Sequence, residues 1–139
     1  MNYEKSCGAV IFTEVRGEMK YLLIKSPRGV YGFPKGHTEG SETETETALR
    51  EVREETGLKI RLLDGFRAAD EYPLPPKRDT VKQVIYFLGT FEHQKIVCQK
   101  GEVSGAFLVS YPEAMQLLQF DSAKRILTEA NNFLQTVLI

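Results

Sequence analysis

Three glutamates, Glu51, Glu54 and Glu55, are spaced so that a single helix would bring their carboxylates together. At about 100° per residue, Glu54 lies about 60° to one side of Glu51 and Glu55 about 40° to the other. Such a set of oxygen ligands suits a hard cation such as Mg²⁺, which also accepts water and phosphate oxygens. A solvated acidic surface accounts for the same pattern equally well, because charge runs of this kind are common.

The charge environment of these acids favours a cation. Glu54 and Glu55 stand just before Gly57, the predicted end of the helix, where the helix dipole disfavours each acid by about 0.3–1 kcal/mol. Glu51 repels them, and Arg50, one turn before Glu54, offsets only part of the conflict. Acids at the start of the helix need no functional explanation because the dipole favours them there; they are Glu42, Glu44 and Glu46.

The preceding loop adds two residues that suit a phosphate ligand. Gly36 lets its carbonyl approach a ligand without obstruction from a side chain, and Lys35 supplies a compact positive charge. Each of them alone is more often a turn glycine or a surface lysine. Their position beside the glutamates connects them to the same predicted site.

The elements that must position these residues follow from apolar periodicity and turn residues. Residues 6–12 and 21–25 predict a strand hairpin, and residues 26–41 a long loop with an extended piece at 31–33. Glycine and helix-capping residues predict a helix over 43–56. The other predicted elements are strands at 58–68, 81–91 and 105–110, a Pro-rich loop at 71–79, and helices at 111–118 and 121–136.

The helix over 43–56 is predicted to begin at Ser41 or Thr43 and to face the core with one sector. The residues expected on that sector are Ala48, Leu49 and Val52. Arg50 is expected on the side away from the core, together with Glu46 and Arg53. Strands with helices before and after them predict an α/β fold in which a mixed sheet is covered on two faces.

Composition restricts the class of protein. With 139 residues and 42% hydrophobic residues, the chain is expected to form one domain, residues 1–139, with a sizeable core. A net charge of −1 argues against general nucleic-acid binding. No apolar run would span a membrane and the start lacks a signal peptide, so a cytoplasmic location is expected. Cys7 and Cys98 lack metal-ligand spacing and are expected to be buried free thiols.

The segment from Gly36 to Leu58 resembles the Nudix box, GX5EX7REUXEEXGU, in which U is an aliphatic residue. It matches at each specified position, namely Gly36, Glu42, Arg50, Glu51, Val52, Glu54, Glu55, Gly57 and Leu58. A long pattern with set spacing is far more specific than a lone glycine motif. The resemblance implies a Nudix-type α/β/α sandwich with a mixed sheet, and hydrolysis of a nucleoside diphosphate linked to another moiety, with Mg²⁺ or Mn²⁺.

The same resemblance implies roles for individual residues. Arg50 would orient the glutamates, and Glu54 is our choice of base for the attacking water, although the residues leave the choice among the three glutamates open. A later loop often adds a carboxylate in this family, and Glu102 is the candidate, although a loop glutamate is usually a solvated charge. The metal ligands would be Gly36, Glu51, Glu54 and Glu55.

Two segments outside the box, GFPKGHTEG and VKQVIYFLGTF, resemble the asymmetrical diadenosine tetraphosphate (Ap4A) hydrolase branch of the family. This likeness implies cleavage of Ap4A into ATP and AMP, with Tyr86 as an adenine-stacking partner. A tyrosine in such a strand is more often part of the sheet packing. Tyr31 stands where related proteins commonly carry Trp, so the base pocket is expected to differ. The residues placed near the phosphates are Lys35, His37 and Lys82.

Several alternatives remain open on the sequence alone. The runner-up is a Nudix pyrophosphatase that acts on nucleoside triphosphates, RNA 5′ ends or other capped diphosphates. A non-catalytic nucleotide-binding Nudix module would be expected to lack the glutamates, which are present here. An acidic helix that serves only as a protein-interaction surface would take up no specific Mg²⁺. The expected partner is a small nucleotide polyphosphate, with no membrane; the oligomeric state is left open.

Overall fold

Two long strands that run side by side in the same direction form the centre of the fold. A computed structural model describes residues 2–74 and 77–137. Strand β1 (Asn2–Val15) pairs in parallel with β7 (Lys77–Thr90), from Asn2 opposite Thr80 to Phe12 opposite Thr90. Both strands are rich in β-branched and aromatic residues, which favour an extended backbone in a buried sheet.

Shorter strands complete a mixed sheet around this pair. Strand β2 (Glu18–Lys25) forms the predicted hairpin with β1, and β8 (Gly105–Val109) pairs antiparallel with β2. The other short strands are β3 (Tyr31–Gly32), β4 (Lys35–His37), β5 (Arg61–Leu62) and β6 (Ala68–Leu74). Since only β1 and β7 are parallel among the pairs described, the sheet is mixed, as predicted.

Helices cover both faces of the sheet because successive strand residues point to opposite sides. On one face, Val10 and Tyr86 pack with Ile126 and Leu127 from helix α3 (Asp121–Val137), next to helix α2 (Tyr111–Leu117). On the other face, helix α1 (Glu44–Thr56) buries Ala48 and Val52 against two further clusters of sheet residues. This is the predicted α/β/α sandwich.

Strand β1 changes its antiparallel partner along its length, and this change positions the glycine loop. Its second half pairs with β2, whereas Ser6–Gly8 pair with Lys35–His37 of β4. Gly8 makes this approach possible, because a Cβ there would lie 2.0 Å from the carbonyl oxygen of Pro34. The loop predicted over 26–41 therefore contains an unpredicted strand that lies against α1.

The prediction for residues 58–91 was partly wrong. A single strand was predicted over 58–68, but within that range only Arg61–Leu62 and Ala68, the first residue of β6, are in strands, and the chain turns at Gly65 with a φ of 95°. The predicted loop at 71–79 instead contains the end of β6 and the start of β7; residues 75–76 lie outside the described residues. Strand β6 tolerates Pro73 because it pairs with β7 alone among the described strands, as an edge strand does.

Two other local expectations were also wrong. Leu49 is exposed rather than part of the core face of α1. Cys7 is a buried free thiol as expected, but Cys98 is only partly buried. None of the helices within the described residues is long and apolar enough to cross a membrane.

Candidate active site

Both ends of helix α1 are determined by local sequence. The Thr43 hydroxyl accepts from the backbone N–H of Glu46, and the Glu46 carboxylate accepts from the N–H of Thr43, which is a reciprocal capping box. Gly57 ends the helix with a φ of 74°, a left-handed conformation that glycine adopts without strain. The cap therefore falls at Thr43 rather than Ser41, and the three glutamates occupy the last two turns.

The segment that follows β7 covers the C-terminal end of α1. The backbone N–H of Val97 donates to the carbonyl of Thr56 at 2.8 Å, and that of Gln99 donates to the carbonyl of Glu55 at 3.0 Å. Two carbonyls at the helix end, which have no partner within the helix, are satisfied in this way. The contact also brings the loop with Glu102 to the end of the helix that carries Glu55.

Arg50 joins the acidic residues of the loop and the helix. Its Nε donates to Glu42 at 2.7 Å, and its Nη1 lies 2.8 Å from Glu51 Oε1 and 3.2 Å from Glu54. The same guanidinium donates to the carbonyl of His37 at 2.8 Å. Because a guanidinium presents five donors in a fixed plane, one arginine can hold several carboxylates in a set arrangement.

Glu51 and Glu55 are held against strand β4. A Cβ on Gly36 would lie 2.0 Å from the Glu51 carboxyl carbon, so only glycine leaves room for this carboxylate. Glu55 accepts a hydrogen bond from the backbone N–H of Lys35 at 3.0 Å. The glycine of the loop and the glutamates of the helix are therefore packed into one unit.

The surroundings of Glu55 disfavour its ionised form. Burial, together with the nearby Glu51 and Glu102 carboxylates, raises the pKa of Glu55 to about 7, although the Lys35 N–H and the Lys35 charge act in the opposite direction. A carboxyl that resists ionisation in this way gains most from an additional positive charge beside it. This position is electrostatically suited to a cation.

A polar cavity of about 430 Å³ brings together nearly all of the predicted site residues. Arg50 lies behind the carboxylates, and Tyr86 lies in the adjoining cavity. The residues that line the polar cavity are Ser6, Lys35, Gly36, His37, Glu39, Glu51, Glu54, Glu55, Lys82, Gln99 and Glu102. Glu102 reaches the cavity although it lies 47 residues beyond Glu55 in the chain.

Positive groups stand opposite the acids. Lys82 is buried in β7 and donates from Nζ to the Ser6 hydroxyl, with His37 Nδ1 at 3.5 Å. Burial and the neighbouring charge of Lys35 lower the pKa of Lys82. Two ammonium groups close together are repelled by each other and attracted by an anion that fits between them. Ser6 was not predicted, because a serine in a strand carries no sequence signal for this role.

The donor set fits a hard divalent cation, since the ligands available are carboxylate oxygens and a backbone carbonyl. Within residues 2–74 and 77–137, no three acidic, histidine or cysteine side chains already have the mutual distances of a metal-binding set. Glu51 and Glu54 are instead held by ion pairs with Arg50, and Glu55 accepts from the Lys35 backbone N–H. The assignment of ligands therefore stays a prediction.

A second cavity, of about 590 Å³, adjoins the polar one at Lys35, which lines both. Its wall is mainly apolar and aromatic. It is formed by Val30, Tyr31, Gly32, Phe33, Lys35, Asp70, Tyr72, Val84, Tyr86, Phe120, Ser122, Ala123 and Ile126. Flat apolar walls of this kind suit a nucleobase.

The aromatic residues of this cavity differ in how much of the ring is available. Tyr86 is only 9% exposed and packs edge to face on Phe33 at 5.5 Å, which favours the sheet-packing interpretation of its ring. Tyr72 is 41% exposed and Phe120 is 58% exposed, so their ring surfaces are open to a ligand. Both were missed as site residues. The available sequence signal for Phe120 was its position immediately before the predicted start of the helix over 121–136.

Fold and site together define a hydrolase of the Nudix class. A sequence model of the NUDIX domain matches residues 3–130, so the chain belongs to the Nudix family, as the box predicted. The resemblance to the asymmetrical branch is also confirmed. The chain is 32% identical to the asymmetrical bis(5′-nucleosyl)-tetraphosphatase of Mus musculus over 142 aligned residues, which cover 94% of this chain and 95% of that protein.

Two other comparisons show how widely the fold is shared. An Ap4A hydrolase of C. elegans, solved as a binary complex, superposes with a TM-score of 0.86 and 22% identity, covering 96% of this chain and 98% of that one. An NAD-capped RNA hydrolase of Deinococcus radiodurans is 30% identical over 92% of this chain and 46% of its own length. Family membership thus establishes the class of enzyme and leaves the substrate to be proposed.

Proposed function

We propose that this protein hydrolyses a phosphoanhydride bond in a dinucleoside polyphosphate, with Ap4A cleaved to ATP and AMP. The observation that carries the proposal is the pair of cavities that meet at Lys35, one aromatic and one lined by carboxylates and cations. A base in the first cavity would place its phosphate chain in the second. The similarity to tetraphosphatases over nearly the whole chain supports this substrate.

Mg²⁺ or Mn²⁺ is the cofactor of this proposal. Its proposed ligands are the carboxylates of Glu51, Glu54, Glu55 and Glu102 and the carbonyl of Gly36. When bound, such an ion lowers the pKa of coordinated water and neutralises charge on the phosphates. Arg50 keeps the glutamates in register through its contacts with Glu51 and Glu54.

Proton transfer is assigned to Glu54. Its side chain is 45% exposed, against 14% for Glu51, and it opens onto the polar cavity, so water can reach it. The water oxygen forms a bond to phosphorus, the bridging P–O bond breaks, and the proton passes to the carboxylate. General-base help of this kind contributes about 10²–10⁴-fold when the groups are aligned.

Lys35, Lys82 and His37 are proposed to hold the polyphosphate. Lys82 is suited to this because its ammonium is fixed by Ser6 rather than free in solvent, so less side-chain entropy is lost on binding. The base is proposed to stack on Tyr72 and Phe120, whose rings are open, with Tyr86 forming part of the inner wall. Base stacking on an aromatic ring contributes about 1–3 kcal/mol.

A substrate screen tests the proposal. The protein is incubated in the presence of Mg²⁺ with one substrate at a time, namely Ap4A, dATP, ADP-ribose or 5′-triphosphorylated RNA, and the products are resolved by chromatography. We expect kcat/KM for Ap4A to exceed the others by about tenfold or more, a difference of about 1.4 kcal/mol. Equal or faster turnover of any of the other three would identify the runner-up pyrophosphatase activity instead.

Two controls separate the remaining alternatives. Hydrolysis in water enriched in heavy oxygen shows which product receives the oxygen, and so which phosphorus is attacked. If Ap4A binds but is not cleaved with Mg²⁺ or Mn²⁺, the protein is a nucleotide-binding module. If Mg²⁺ gives no thermal shift, the acidic helix has no metal-binding role. The single-domain arrangement over 1–139 and a cytoplasmic location stay predictions of the sequence.

A further inference from the structure

Two polar groups on the wall of the aromatic cavity have no part in the proposed hydrolysis. Asp70 of β6 lies opposite Val84 of β7, and Tyr86 follows two residues later on the same face of the sheet. Such diagonal neighbours are within reach of each other's long side chains. Both line the cavity, so a ligand against this wall meets a carboxylate and a phenol together.

The Tyr86 hydroxyl faces the cavity without a protein partner. Only 9% of the residue is exposed, yet its hydroxyl makes no hydrogen bond within the described residues. No fully buried side-chain oxygen in that part of the chain lacks a partner, so this hydroxyl must reach the open space of the cavity. Burial and the charge of Asp70 raise the pKa of Tyr86, so the group stays protonated and able to donate.

Asp70 retains its capacity to accept. Its nearest cation is Arg125, whose Nη2 lies 3.9 Å from Asp70 Oδ1, beyond hydrogen-bond distance, and donates instead to the carbonyl of Ala69 at 2.9 Å. Arg125 also pairs with Glu129 at 2.8 Å. An ionised carboxylate has about four lone-pair sites, so Asp70 can bind an N–H of a ligand.

We propose that Asp70 and Tyr86 recognise the hydrogen-bonding edge of the nucleobase, with Asp70 accepting from an exocyclic amino group and Tyr86 donating to an adjacent ring nitrogen. This inference rests on the proposed function for its substrate. Adenine presents an amino donor beside a ring-nitrogen acceptor, whereas guanine presents a carbonyl in place of the amino group. Asp70 is therefore a specificity-determining residue for 6-aminopurines.

Substrate analogues separate this role from simple packing. Kinetics are measured with Ap4A and with the corresponding dinucleotide of unsubstituted purine, which keeps the ring nitrogens and loses only the amino donor. In the unmodified protein, KM for the purine analogue is expected to be about tenfold higher than KM for Ap4A, with little change in kcat, because a site built to bond an N–H leaves its acceptor unpaired otherwise.

The variants then assign each contact. Asp70→Ala is expected to raise KM for Ap4A by about tenfold and to leave KM for the purine analogue unchanged, since only the amino contact is lost. Asp70→Asn, which keeps one carbonyl acceptor, is expected to restore part of the preference. Tyr86→Phe is expected to raise KM for both substrates alike. Asp64→Asn, an exposed aspartate that lines neither cavity, is the control and is expected to change nothing.

The outcome distinguishes this inference from the proposed function. If Ap4A is cleaved but Asp70→Ala changes KM for both substrates equally, or for neither, the base-edge role is overturned and the proposed function stands. If Ap4A is not cleaved, calorimetry with ADP decides: binding that weakens about tenfold in Asp70→Ala supports the base-edge role. Absence of ADP binding, or binding indifferent to Asp70, overturns it.

Discussion

The two ends of helix α1 carry the same residue type in opposite electrostatic states. At the first end, hydrogen bonds from Arg50 hold the pKa of Glu42 at about 2, and those from Arg67 and Lys5 do the same for Glu44. At the other end, burial raises the pKa of Glu55 to about 7. Glu44 has Lys5 and Arg67 as its own partners, whereas Glu42, Glu51 and Glu54 share one arginine, Arg50.

This difference shows how one helix can serve stability at one end and binding at the other. Glu44 ties the start of α1 to β1 and to the loop before β6 through Lys5 and Arg67. Glu55 has only a backbone N–H as its hydrogen-bond donor among the described residues, and it faces a cavity. A carboxylate that is paired within the fold, such as Glu44, stabilises the fold. A carboxylate without an ion-pair partner in the described part of the chain, such as Glu55, is available to bind a positively charged ligand.

The sharpest test of this comparison is neutralisation at each end. Glu54→Gln and Glu55→Gln are expected to lower kcat for the Mg²⁺-dependent reaction by about 10²–10⁴-fold, because each removes a charge with little change in shape. Glu46→Gln is the matched control at the first end, since glutamine preserves the capping box. Severe unfolding of Glu54→Gln or Glu55→Gln would give those residues a structural role and break the comparison.

Two glycines allow a test of how strand β4 is packed between helix α1 and strand β1. Gly36→Ala places a Cβ against the Glu51 carboxylate, which can move aside, so we expect activity to fall by about tenfold or more while the melting temperature hardly changes. The Cβ added by Gly8→Ala would instead clash with the backbone of Pro34 and Lys35, so this variant is expected to have lower activity and a lower melting temperature. Enzyme assays and thermal unfolding measure the two effects; equal losses of stability would remove the distinction.

The pH dependence of stability sharpens the comparison for Glu55. Its pKa rises from 4.5 to about 7 on folding, so its contribution is complete below pH 4.5 and is lost as pH rises through 7. In metal-free protein, the free energy of unfolding of Glu55→Gln, compared with that of the unmodified chain, is therefore expected to increase by roughly 1–3 kcal/mol as the pH is raised from 5 to 8. Urea unfolding at both pH values measures this. Parallel stabilities across the range would mean that Glu55 is already neutralised.

The smallest effect is expected at the first end and has the opposite sign. The pKa of Glu44 falls from 4.5 to about 2 on folding, so its contribution is present above pH 4.5 and is lost as pH falls through 2. Glu44→Gln is expected to lower the free energy of unfolding by about 1 kcal/mol near pH 7, and by less at pH 4 or in high salt. An unfolding series over pH and salt checks this. A constant deficit would point to lost packing rather than lost charge.

The box region was predictable because its signals are local. Thr43, Glu46 and Gly57 determine the helix ends through backbone hydrogen bonds and a left-handed turn, and the 100° rotation per residue determines which glutamates share a face. The direction of Arg50 was not predictable in this way. Its long side chain crosses the helix to reach Glu42 and His37, and those partners lie in the loop before the helix.

The aromatic cavity was not predictable because its walls come from distant parts of the chain. Tyr31, Tyr72 and Phe120 lie in three separate segments, and only the packing of α3 on the sheet brings them together. Because residues 71–79 were predicted as a loop, Tyr72 was not recognised as a strand residue that lines this cavity. Proline and charged residues there indicated a turn, whereas the edge position of β6 tolerates both.

The parallel pairing of β1 with β7 has a consequence for how this enzyme is made. Ser6 and Lys82 meet across 76 positions of chain, so the cation that is proposed to hold phosphate is set in place only by a very non-local contact. Pairings of this kind slow folding, because the entropy of closing a long loop is lost before the stabilising contacts form. On the ribosome, β1 therefore cannot complete this pairing until β7 has emerged, and Lys82 reaches Ser6 only after the 76 positions between them have been made.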